Sequence, residues 1–137
     1  MTLYLDSSSL VKIFIDEEGS EDVRALVSRS DVQTTSVVSF AEVCSAVARM
    51  RREKALTPAK YADAKRRFVS GWPALLSLEV TQDLARSAGD LAEKHGLRGF
   101  DSIHLATFAQ VLERGTDDEV EFSSFDKRMV AAARRLG

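Results

Sequence analysis

The chain is poor in the residues that build covalent or soft-metal frameworks. Of its 137 residues, one is a cysteine, Cys44, and two are histidines, His95 and His104. A lone cysteine excludes an intramolecular disulfide, and two separated histidines with one thiol cannot form a Cys/His zinc cage. No apolar run reaches the length of a membrane span, because Asp6 and Lys12 interrupt the apolar start; neither a signal peptide nor membrane association is expected. Excess positive charge is also missing. The net charge is −2 and the pI about 5.7, so any nucleic-acid contact has to come from a local basic patch or through bound cations. Cysteine poverty and the missing leader together point to the cytoplasm. Repeats, low-complexity tracts and linkers are absent as well.

What remains is an ordinary globular composition, 45% hydrophobic and 29% charged, of a length that suits one domain over residues 1–137. The pattern alternates strand and helix. Leu3–Leu5 reads as a strand ending at Asp6, followed by helices over 7–15 and from Ser20. Val32–Thr35 reads as a second strand and Ser36 to about Lys54 as a long helix. Thr57 and Pro58 start a helix reaching about Gly71. A third strand is expected over 76–80, a helix from Thr81 to His95 closed by Gly96, and a helix over 99–114. Strand 119–123 and a helix from Asp126 to Leu136 complete the order. Strands separated by helices predict an α/β fold, with a short, mainly parallel central sheet flanked by helices.

Four acids fall at informative places. Asp6 follows strand one, Glu42 lies in the first turns of the helix after strand two, and Asp126 follows strand four. Functional groups of open parallel sheets gather beyond the carboxyl ends of the strands. Asp101 enters from the start of a helix and joins the others if its crossover returns to that edge. Crowded carboxylates stay ionised only beside a cation, and oxygen ligands favour Mg²⁺ or Mn²⁺. Such an ion serves metal-assisted phosphodiester hydrolysis. Each acid also has a plain structural reading as a helix cap, and Ser39-x-x-Glu42 reads as a capping box.

The segments around these acids carry a resemblance. Leu3-Tyr-Leu-Asp6-Ser-Ser8 resembles the opening of PIN domains. Thr35-Ser-Val-Val-Ser-Phe-Ala-Glu42, Phe100-Asp101-Ser-Ile-His104 and Ser123-Ser124-Phe125-Asp126 resemble their later motifs, in the family's order. The length resembles the VapC toxins of bacterial and archaeal toxin–antitoxin pairs. The resemblance implies a PIN-like three-layer sandwich and an endoribonuclease, with Mg²⁺ or Mn²⁺ on Asp6, Glu42, Asp101 and Asp126. It assigns supporting hydroxyls to Ser8 and Ser124, the latter standing where threonine is commoner. It further implies a tRNA or rRNA substrate, a small cognate antitoxin and a homodimer. Two alternatives stay open. One is a phosphatase with an aspartyl nucleophile at Asp6, although Ser8 stands where that class wants a second acid. The other is a catalytically inactive PIN-like binding module or phospho-receiver.

Other residues are expected to be bystanders. His104 lies one helical turn from Asp101, either as a proton shuttle or as a structural histidine. His95 ends a helix, and Cys44 belongs to the core. Asp16, Glu17, Glu18, Asp117, Asp118 and Glu119 are expected in solvated loops, and Asp83 is a decoy at the correct edge. Residues 49–67 hold eight cations against two acids, a candidate phosphate track without aromatic interleaving. Tyr61, Ala64, Phe68 and Trp72 form a stripe, part core and part candidate groove for a partner helix.

Overall fold

A computed structural model describes residues 1–115 and 119–136. The loop expectation for Asp117 and Asp118 lies outside the described residues.

The element order is β1 (Thr2–Leu5), α1 (Ser7–Phe14), α2 (Ser20–Ser28), β2 (Val32–Ser36), α3 (Ser39–Arg52), α4 (Pro58–Gly71), β3 (Leu76–Leu78), α5 (Gln82–His95), α6 (Gly99–Glu113), β4 (Val120–Ser123) and α7 (Lys127–Leu136). The start signals act as read. Thr57 caps α4 by accepting from the Lys60 amide, Thr81 caps α5 through the Leu84 amide, and Gly96 closes α5 in the left-handed region at φ 62°.

Several elements differ from expectation, most by a single residue, and three differences are larger or new. The helix expected from Ser36 begins at Ser39, because Ser36 still pairs with Leu78 in the sheet. The third strand stops at Leu78, two residues short of the expectation. A 3₁₀ turn over Trp72–Ala74, with Pro73 in it, intervenes between α4 and β3.

The four strands pair in parallel in the order β3-β2-β1-β4. Period-2 alternation sends β1 side chains to both faces. Leu3 and Leu5 enter a core with Leu10, Val11, Val23, Val43, Val47 and Phe68, from helices α1 to α4. Tyr4 points the other way, into Leu105, Phe108 and Met129 of α6 and α7. Helices therefore cover both faces of a parallel sheet, the layered arrangement expected from the sequence. Polar Thr34 and Thr35 are tolerated inside β2 because their hydroxyls donate to the carbonyls of Leu3 and Leu5, at 3.2 and 2.7 Å.

The strand order sets the site. The chain steps outward from β1 through β2 to β3, then returns across the sheet to place β4 on the other side of β1. The direction reverses between β1 and β4, and a crevice at such a switch point lies beyond the carboxyl ends of the strands.

Candidate active site

Asp6 and Asp126 follow the two strands that flank the switch point, where Leu5 pairs with Ser123 and the Asp6 amide donates to the Ser123 carbonyl at 3.2 Å. Asp6 is buried and caps α1, accepting from the Ser9 amide at 3.1 Å and the Ser8 hydroxyl at 2.6 Å. Burial raises the pKa of this carboxyl; hydrogen bonds from Ser124 and Ser8 and the nearby His104 imidazole counter it in part. No ion pair to Asp6 exists among the described residues, so hydroxyls and an amide carry a buried charge.

The two serines join the first and fourth motifs. Ser8 Oγ donates to Asp6 and accepts from the Phe125 amide at 3.0 Å. Ser124 Oγ accepts from the Asp126 amide at 3.1 Å while also bonding Asp6. The Asp126 carboxylate accepts from the amides of Arg128 and Met129, the capping role its position allows.

Glu42 does not form the capping box. Ser39 is already helical and its hydroxyl shares a 2.7 Å bond with Thr35, while the N-cap Val38 offers no side-chain oxygen. Glu42 Oε1 instead meets His104 Nε2 at 2.7 Å, and His104 Nδ1 meets the Tyr4 hydroxyl at 2.8 Å. His104 is 2% exposed and Tyr4 fully buried. In the neutral ring, Nε2–H donates to the acceptor-only carboxylate and Nδ1 accepts from the phenol. Burial first, then the charges of Asp6 and Glu42, push the Tyr4 phenol well above its ordinary range, so it remains a donor.

Asp101, in the first turn of α6, accepts from Arg98 Nε at 3.0 Å. That hydrogen bond and the Asp101 charge raise the pKa of Arg98, with Asp126 contributing further; the third and fourth acids thus share one guanidinium's field. Of the four acids Glu42 lines a groove of about 790 Å³, together with Ser8, Lys12, Glu17, Arg49, Arg98 and Phe125 among others.

The four acids therefore share one edge but are tethered singly. Among the described residues, no three Asp, Glu, His or Cys side chains gather as a ready-made ion cage. Their chemistry nonetheless suits a hard divalent cation. All donors are oxygens, and Asp6 bears a desolvation cost that nothing fully offsets.

Sequence reading had assigned His104 two roles and missed the third, a partner of Glu42. The available signal was Tyr4, a phenol on a strand buried on both faces, which needs a partner from the facing helix. Arg98 was also missed, although it stands three residues before Asp101 at helical contact spacing. Asp83 and Asp16 to Glu18 are exposed, and Cys44 packs beside the α1–α4 core. Of the basic stretch, Arg49 reaches the groove, while Arg66 and Arg67 pair with Asp63.

Comparison with known proteins identifies the family. The PIN domain family model matches residues 3–135. Two curated proteins of Mycobacterium tuberculosis, Ribonuclease VapC45 and Ribonuclease VapC49, are each 33% identical over 135 residues, covering 98% of this chain and 91% of the relative. Ribonuclease VapC47 of the same species is 27% identical, covering 98% and 92%. A solved structure described as a toxin-antitoxin complex from Klebsiella pneumoniae superposes with a TM-score of 0.66 at 19% identity, over 94% of this chain and 90% of that one, a likeness of fold. With the family model matching residues 3–135 and relatives 33% identical over nearly the whole chain, this chain belongs to the PIN-domain family, alongside the VapC ribonucleases.

Proposed function

We propose that this chain, as one domain over residues 1–137, is a metal-dependent endoribonuclease and the toxin of a toxin–antitoxin pair. The observation that carries the reading is the switch point, where Asp6 and Asp126 follow the two strands on either side of it; the positions of Glu42 in the first turn of α3 and Asp101 in the first turn of α6 support it. The kinship with ribonucleases supports it.

Asp6, Glu42, Asp101 and Asp126 are the residues that would hold Mg²⁺ or Mn²⁺. When bound, such an ion stabilises charge on a phosphoryl oxygen and lowers the pKa of water. The protein's share is positioning. Ser8 and Ser124 keep Asp6 oriented and ionisable. His104 fixes Glu42, and Tyr4 fixes His104. Arg98 holds Asp101 by an exposed pair that exchanges at little cost. Arg49, Lys12 and Arg98 line the approach of a polyanion.

The substrate is RNA, of the tRNA or rRNA kind, in the cytoplasm; no helix of the described residues is long and apolar enough to cross a membrane. Restraint falls to a small antitoxin. Between α3 and α4 a cavity of about 250 Å³, lined by Val43, Cys44, Val47, Tyr61, Lys65 and Phe68, offers an apolar seat for a partner helix. The stripe behind it divides as anticipated: Ala64 and Phe68 are buried, Tyr61 and Trp72 partly so. The chain pairs as a homodimer.

The test is cleavage of cellular RNA by purified protein. Chelator should abolish it and Mg²⁺ or Mn²⁺ restore it; undiminished cleavage in excess EDTA would sink the mechanism. RNA binding without metal-stimulated cleavage would favour an inactive binding module. Stable trapping by beryllofluoride would favour an aspartyl-phosphate enzyme, but the second-acid position of that chemistry is held by Ser8, bonded to Asp6.

A further inference from the structure

Phe125 stands in the turn between β4 and α7, the turn that also carries Ser124 and Asp126. Its ring is 47% exposed. A scattered exposed apolar residue needs no explanation, but this ring is gripped by the loop between α1 and α2. The Lys12 ammonium stands 4.6 Å from the ring centroid. Gly19, at φ +91°, lies so close that a Cβ there would come within 2.6 Å of the ring. An alanine at position 19 would displace the ring as well as strain the backbone.

The grip has a firm base. Lys12 Nζ donates to Glu17 Oε1 at 2.7 Å and to the Glu18 carbonyl at 2.8 Å. The buried Ser20 hydroxyl accepts from the Glu17 amide at 3.0 Å and donates to the Ile15 carbonyl at 2.8 Å. The ammonium is thus occupied by its own loop, and its part is to hold the ring against that loop.

What the ring holds is its own backbone. The Phe125 amide donates to Ser8 Oγ at 3.0 Å, and Ser8 Oγ donates to Asp6 at 2.6 Å. A serine hydroxyl has one proton and rotates to suit its surroundings. On a helix it can also turn back to a carbonyl of the preceding turn. An amide aimed at the oxygen removes that freedom and leaves the proton directed at the carboxylate. We propose that Lys12, Gly19 and Phe125 are positioning residues: they fix the Phe125 amide against Ser8, which keeps the Ser8 proton on Asp6 and presents Asp6 to a divalent cation in one orientation. The inference rests on the metal-dependent nuclease reading and adds residues to the support of that same site.

Two measurements on the full chain separate the clamp from the chemistry. Solvent exchange of the Phe125 amide is read by NMR in metal-free protein, with the amides of α5 as the internal reference. Mn²⁺ binding is read without RNA, by electron paramagnetic resonance of the free ion. Phe125→Leu and Lys12→Met should each speed the Phe125 exchange about 2- to 10-fold, the equivalent of one ordinary hydrogen bond. Each should weaken Mn²⁺ binding roughly 3- to 10-fold, at or below the lower end of what a partner touching a metal ligand costs. Phe125→Tyr and Lys12→Arg, which keep the ring and the cation, should stay within about twofold of wild type. In a Ser8→Ala background, Phe125→Leu and Lys12→Met should cost no further Mn²⁺ affinity, because both act through Ser8.

Unchanged Mn²⁺ affinity in the folded Phe125→Leu and Lys12→Met proteins overturns the proposal. So does an equal loss in the Ser8→Ala background, which would route their effect past Ser8. If either variant fails to fold, Glu17→Gln, on the exposed loop, carries the same test by loosening Lys12 alone. If Mn²⁺ binding and amide exchange match wild type while KM for RNA rises, the two side chains meet substrate directly; the positioning role fails and the nuclease reading stands. If the wild-type chain neither binds Mn²⁺ nor cuts RNA, the nuclease reading fails and takes this inference with it.

Discussion

Two of the four acids are held by opposite means. Glu42 is gripped from inside: its partner His104 is 2% exposed, and a buried tyrosine anchors the far side of that imidazole. Asp101 is held from outside by Arg98, whose side chain is 77% exposed. A buried chain of hydrogen bonds has few alternatives, because each polar atom left without its partner costs about 1–3 kcal/mol. An exposed ion pair is worth about 0–1 kcal/mol and competes with water. The buried hydrogen bonds hold Glu42 in one geometry, and the exposed pair of Arg98 and Asp101 can exchange partners at little cost.

Asp6 belongs to the buried side, and breaking it should have the largest effect. Asp6→Asn should lower cleavage by more than the roughly 10–100-fold typical of a supporting partner around a metal. The same change should stabilise the metal-free fold at neutral pH. The sign follows from burial, which raises the folded pKa of Asp6 above its unfolded value. Such a group favours folding below the unfolded pKa, and that contribution is lost as pH rises through the folded pKa. Metal-free wild type should thus lose stability across the carboxylate range, and Asp6→Asn should lose less. Thermal melts of both proteins in EDTA between acidic and neutral pH check this; a wild type no more pH-sensitive than the variant would contradict it.

The second effect concerns the chain from Tyr4 to Glu42. Tyr4→Phe leaves His104 Nδ1 without its donor, and His104→Leu leaves the phenol without its acceptor. Each should cost about 1–3 kcal/mol of stability. The double variant removes both polar groups, so its cost should fall clearly below the sum of the two. Cleavage should behave differently. His104→Leu alone should reduce it about 10–100-fold, with kcat or metal dependence affected more than KM, and the double variant should not recover. His104→Gln, which keeps a donor for Glu42, should recover part of it. A cleavage rate that returned with stability in the double variant would reduce His104 to a core residue.

The contrast between the two sides also explains what the sequence discloses. Periodicity places Asp6 and Asp126 just beyond strand ends and Glu42 in the first turn of the helix after the second strand, and the edge they face is a property of the topology. Asp101 needed the crossover to return α6 to that edge, which α6 does through His104 on β1 and α3. The hydrogen bonds themselves were not legible. Ser39 and Glu42 have the spacing of a capping box, but local spacing cannot register that Thr35 and His104 arrive through long-range contacts. The helix boundary at Ser36 failed for the same reason: strand pairing with Leu78 overrides the local helical pattern. Arg98 carries a local signal, its three-residue spacing to Asp101, but the exposure of that pair depends on tertiary packing. The basic stretch attracted notice as a charge run, yet of its cations it is Arg49 that lines the groove.

Ser8 lies between the two regimes, half-buried and bonded both to Asp6 and to the Phe125 amide. Ser8→Ala should cost about 0.5–1.5 kcal/mol per hydrogen bond lost and raise the Asp6 pKa further, since this hydroxyl is one of the groups holding it down. Half-maximal metal activation at a fixed neutral pH should shift to higher Mn²⁺. Ser8→Thr should retain most activity. An unshifted metal requirement in a folded Ser8→Ala protein would remove Ser8 from the support of Asp6.

Arg98 should give the smallest effect on the fold and the most informative one on the site. Its pair with Asp101 is exposed, so Arg98→Ala should lower stability by less than about 1 kcal/mol. Two consequences should then oppose each other. Asp101 loses a competing cation, so less Mn²⁺ should be needed for half-maximal cleavage. The groove loses a charge facing the substrate, so KM for RNA should rise and its salt dependence should weaken. Arg98→Lys separates the two, because an ammonium keeps the charge in the groove but not the planar fork that suits a carboxylate. It should retain much of the KM while giving up part of the hold on Asp101. If Arg98→Ala instead destabilised the fold by several kcal/mol, the exposed pair would be a structural fixture, and the division between a fixed and an exchangeable half of the site would not hold.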